Sequence, residues 1–74
     1  MVYPIINPVE TGKKIKILIK RNGRTAAWVA KTIGLSDKGT LYKWLRGEAL
    51  PSIDNLLALS ILFEVTINEI LVAS

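Results

Sequence analysis

The chain has 74 residues, half of them apolar, and its ten Lys and Arg outweigh six Asp and Glu to give a net charge of +4. Cys and His are both absent, which removes disulfides, thiolate and imidazole metal sites and the usual general base. This length suits one domain whose helices must pack economically, and neither an enzyme nor a protein with a cofactor, metal or small-molecule ligand is expected.

All ten basic residues lie between Lys13 and Arg46. Residues 1–47 carry ten basic and two acidic residues (+8), whereas residues 48–74 carry no basic and four acidic residues (−4). Lysines on helix faces often serve only solubility, but segregation this complete favours a surface for a polyanion. No charged, apolar and cleavage-site sequence resembling a leader opens the chain, and Lys, Glu or Asn interrupts every apolar stretch well short of a membrane span.

In chain order, residues 1–7 predict an extended apolar arm broken by Pro4, which either packs over the core or pairs with a partner subunit. Residues 8–74 predict the folded domain. Asn7, Pro8 and Glu10 form a helix start, with Asn7 as cap, Pro8 at the first position and Glu10 reaching back to the Asn7 amide. The first helix is expected from Pro8 to Arg21, stopping at Asn22 and Gly23, with Val9, Ile15 and Leu18 inward. Thr25 caps a second helix with Val29, Ala30 and Ile33 inward, and Gly34 ends it in the left-handed conformation. Leu35 is then placed to pin the turn.

Ser36 or Asp37 caps a third helix from Lys38 to Arg46, closed by Gly47. Its inward stripe is Leu41, Trp44 and Leu45, which leaves Gly39, Tyr42, Lys43 and Arg46 opposite. Ser52 caps a fourth helix with Asp54 near its positive end, and Ile53, Leu56, Leu57, Leu59, Ser60 and Phe63 are expected in the core. Thr66 and Glu69 form a capping-box pattern that starts a last helix running to Val72. Ile17, Ile19, Ile61 and Val72 fall outside the inward stripes. Together with the apolar arm they suggest a homodimer, the rival being a monomer with a well-covered arm.

The pattern from Gly12-Lys13-Lys14-Ile15-Lys16 through Thr25, Val29-Ala30, Gly34-Leu35-Ser36, Lys43-Trp44 and Arg46-Gly47 resembles the Cro/phage-repressor-type (Xre) helix-turn-helix family. The resemblance continues through Leu50-Pro51-Ser52-Ile53-Asp54-Asn55-Leu56 and Phe63-Glu64-Val65-Thr66 to Glu69-Ile70-Leu71, covering roughly residues 12–71. It implies an all-α, five-helix lambda-repressor-like domain with helices 2 and 3 as the helix-turn-helix. It also implies a cytoplasmic, nucleoid-associated transcriptional repressor or regulator, dimeric on a partly palindromic stretch of double-stranded DNA. Ala26 departs from the Gln common in that family at the start of helix 2, Arg24 from an apolar residue, and Glu64 from the Gly that often ends helix 4. Gly39 offers no side chain on the face turned to DNA.

Base reading would involve Lys38, Thr40, Tyr42 or Lys43, because the start of a recognition helix projects deepest into the groove. Lys14, Arg24, Lys43 and Arg46 are the candidates for phosphate or groove contacts. Lys14 and Arg24 have the alternative of being idle surface charges, and Thr40 that of serving its own backbone. Asn55 either approaches phosphate or caps its helix. Trp44 is expected in the core, while Trp28 lies beneath the DNA-backbone surface or serves another protein. The rival function is a protein-interaction module of the same fold, antitoxin-like or an adaptor.

Overall fold

The computed structural model describes residues 3–74. Among the described residues five helices follow one another: α1 (Pro8–Arg21), α2 (Ala26–Thr32), α3 (Lys38–Leu45), α4 (Ile53–Phe63) and α5 (Ile67–Ile70). Each starts on a side chain that accepts a hydrogen bond from an otherwise unpaired first-turn amide: Asn7, Thr25, Asp37, Ser52 and Thr66 respectively. The Thr66 hydroxyl and Glu69 carboxylate form the reciprocal capping box. α3 ends at Leu45 with Arg46 as its cap, and α5 ends at Ile70, two residues short of the expected Val72.

At the start of α1 the expected box does not form. The Asn7 amide instead donates to the Val72 carbonyl at 2.7 Å, and Glu10 turns to Lys13 at 3.4 Å. The competing bond belongs to a short antiparallel pairing that joins residues 5–7 to residues 72–74. Ile6 bridges Ala73, the Ser74 amide donates to Ile5 at 2.8 Å, and the Val72 amide donates to the hydroxyl of buried Thr11 at 3.0 Å. Residues 5–7 of the expected arm therefore lie along their own C-terminal segment. Met1 and Val2 are outside the described residues.

The core gathers Ile15, Leu18 and Ile19 of α1, Val29 and Ala30 of α2, and Leu41 and Trp44 of α3. Leu56, Leu59 and Phe63 of α4 and Ile70 of α5 complete it. α1 packs against α3, α2 and α5, and this wide contact arc buries Ile19, expected outside the main stripe. Val9 is instead half exposed, its first turn lying against the backbone of Gly47. On α4 the inward positions are Leu56, Leu59, Ser60 and Phe63, spaced i, i+3, i+4, i+7. Ile53 and Leu57, expected in the core, face outward. α4 ends on Glu64, which takes a left-handed backbone with φ +56° where glycine is the easier residue.

Candidate nucleic-acid interface

α2 and α3 meet across a turn held by backbone bonds. Gly34 takes φ +82° and the Leu35 amide donates to the Ala30 carbonyl at 2.9 Å. Half-buried Leu35 packs against the core and fixes the angle between the two helices. Asp37 then caps α3 by accepting the Gly39 amide at 2.8 Å. A Cβ at Gly39 would stand 3.0 Å from the capping carboxylate oxygen, a tight contact.

With Leu41 and Trp44 buried and Leu45 half-buried, α3 turns Lys38, Tyr42, Lys43 and Arg46 outward, all exposed. Thr40 is half-buried, and its local bond to the Asp37 carbonyl (3.1 Å) is made by the backbone amide rather than the hydroxyl. The face is thus cationic and carries one phenol. Arg46 is not free: its Nε donates to the Glu48 carboxylate. That hydrogen bond holds the Glu48 carboxyl below the usual carboxylate range and pushes the Arg46 guanidinium higher.

Beside this face lies a groove of about 480 Å³ lined by Lys16, Ile19 and Lys20 of α1, Ala26 of α2, and Tyr42, Leu45 and Arg46. The small Ala26 side chain and the close approach of α1 to α3 at Gly12 shape it. Neither Lys16 nor Lys20 is among the contacts expected from the sequence. Their i, i+4 spacing on the flank of α1 next to Ile19 was the signal that could have found them. Among the described residues, only Lys13 and Arg46 form ion pairs with carboxylates, so neither Lys16 nor Lys20 is engaged.

The other candidates lie elsewhere. Lys14, two residues from Lys16, points about 200° away from it around α1 and does not line the groove. Arg24 stacks its guanidinium 4.2 Å from the Trp28 ring centre, in a depression shared with Asn22, Leu62 and Phe63. Half-buried Trp28 also packs on the core. Asn55 is half-buried, and the cap of α4 is made by the Ser52 hydroxyl accepting the Asn55 amide at 3.2 Å.

A helix-turn-helix family profile matches residues 15–70. The chain belongs to the Cro/repressor-type helix-turn-helix family. As a member of that helix-turn-helix family it is a DNA-binding protein of the transcription-regulator class. Its fold is similar to that of the restriction-modification controller protein C.AhdI from Aeromonas hydrophila, with a TM-score of 0.75 and 24% identity. That likeness covers 84% of this chain and 92% of the controller protein. No curated protein matches the sequence. No described helix of this helix-turn-helix protein is long and apolar enough to cross a membrane.

Proposed function

We propose that the protein is a sequence-specific transcriptional repressor that binds operator DNA as a homodimer, with α3 of each copy in the major groove. The observation that carries this reading is the outward stripe of α3, where Lys38, Tyr42, Lys43 and Arg46 are exposed together on the basic half of the chain. Lys38 and Lys43 can donate to guanine O6 and N7, and Thr40 can meet a thymine methyl. Tyr42 and Arg46 suit phosphate, with Lys14, Arg24 and Asn55 as outlying backbone contacts. Occupancy of the operator then blocks transcription.

A palindromic operator needs two copies related by a two-fold axis, with half-sites about 34 Å or a multiple of that apart. The surface that suits such pairing is on α4. Ile53, Leu57 and Ile61 are 80%, 52% and 70% exposed, and their i, i+4 spacing sets them in one stripe that can meet its own copy.

Fluorescence anisotropy with random duplex DNA at two salt concentrations tests the reading. Binding at micromolar protein that weakens steeply with salt is expected, because phosphate neutralisation releases counterions. Lys43→Glu is expected to abolish binding while the fold survives. No binding by the native chain at either salt would favour the protein-interaction module instead, with the α4 stripe as its contact surface. Sedimentation of the native chain beside Leu57→Glu tests the dimer, which the charged substitution is expected to dissociate.

A further inference from the structure

We infer that the groove between α1 and α3 is a seat for a single DNA backbone phosphate, with Lys16 and Lys20 as its cationic walls. This rests on the DNA-binding reading above and extends the contact surface from α3 onto α1. Three observations carry it. Lys16 and Lys20 stand one turn apart on α1 and both line the groove, opposite Tyr42 and Arg46. Among the described residues neither lysine pairs with a carboxylate, whereas their neighbour Lys13 is taken by Glu10 at 3.4 Å. Between the lysines and the Tyr42–Arg46 side lie Ile19, Ala26 and Leu45, which offer no competing hydrogen-bond acceptor from their side chains.

The chemistry suits an anion rather than an apolar ligand. Two ammonium groups supply several freely rotating donors from one side, and the Tyr42 hydroxyl adds a donor from the other. A phosphodiester presents two free oxygens and continues into chain on both sides, as an open groove allows. The position beside Tyr42 and Arg46 makes the occupant a phosphate of the same duplex that α3 reads. Bound there, it fixes how α3 enters the groove without reading a base.

The test is the salt dependence of binding to random duplex DNA by Lys16→Gln, Lys20→Gln, the double variant and Lys13→Gln, each checked for helix content and melting temperature. Each groove variant is expected to weaken binding several-fold at low salt. The double variant is expected to lower the slope of log affinity against log salt by about 0.9, the value for one phosphate contact. Lys13→Gln is expected to keep the native slope. A native slope in the double variant, or an equal loss in Lys13→Gln, would overturn the phosphate seat while leaving the DNA-binding reading intact. Absence of salt-sensitive binding by the native chain would overturn both.

Discussion

Gly12 of α1 lies directly against the Trp44 carbonyl oxygen of α3, with the Leu45 carbonyl oxygen 2.9 Å from where a Cβ on Gly12 would stand. Both obstacles are backbone atoms, so no rotamer change relieves the clash. Gly12→Ala should therefore separate α1 from α3 and destabilise the domain by about 3 kcal/mol or more. In a thermal melt of a domain this size that is a loss of roughly 12 °C or more. A melting temperature within a degree or two of native would show that the helices do not meet this closely.

Glu64 gives the opposite sign. Its φ of +56° costs a residue with a Cβ about 1–2 kcal/mol, and relief of that strain outweighs the extra unfolded-state freedom of glycine. Glu64→Gly is expected to raise stability by about 0.5–1 kcal/mol, seen as a melting point a few degrees higher. A fall would mean that the Glu64 side chain contributes something beyond ending α4.

Thr11 is fully buried and its hydroxyl accepts the Val72 amide at 3.0 Å. Thr11→Val keeps the side-chain volume but leaves that amide without its partner, at a cost of about 1–3 kcal/mol. Thr11→Ser should retain more of the native stability in denaturant titration, because the hydroxyl remains. Equal losses in the two variants would assign the effect to packing.

Glu48 occupies the guanidinium that the proposed DNA contact needs. At pH 7 both partners are charged, and because the Glu48 carboxyl is held below its usual range the pair persists above that range. It is lost only as pH falls through the depressed value. Glu48→Gln at pH 7 is expected to free Arg46 and tighten binding to random duplex DNA several-fold, with a salt slope steeper by up to about 0.9. The melting temperature should barely move, since exposed ion pairs add little. Unchanged affinity would remove Arg46 from the interface.

Helix starts were legible because a cap needs an oxygen-bearing side chain within three residues of the amide it satisfies, and Asn7, Thr25, Asp37, Ser52 and Thr66 all meet that local condition. The outward stripe of α3 was legible for a similar reason: Leu41 and Trp44 define the inside, so Tyr42, Lys43 and Arg46 fall opposite. What escaped depends on distant partners. The Asn7 amide is claimed by Val72 from the far end of the chain, which displaces Glu10 from its expected role. α4 is apolar on nearly every face, so periodicity alone could not tell that Leu56 and Leu59 turn inward while Ile53 and Leu57 do not. The Lys16–Lys20 groove needs α3 beside α1, a contact between distant residues, and Lys14 lies outside it.

The bridge between Ile6 and Ala73 closes residues 6–73 into nearly a ring. That adjacency makes the order of the helices along the polypeptide separable from their arrangement in space. A short covalent link between the two paired segments, with a new opening in the turn between α3 and α4, would give a circular permutant that begins on α4 and ends on α3.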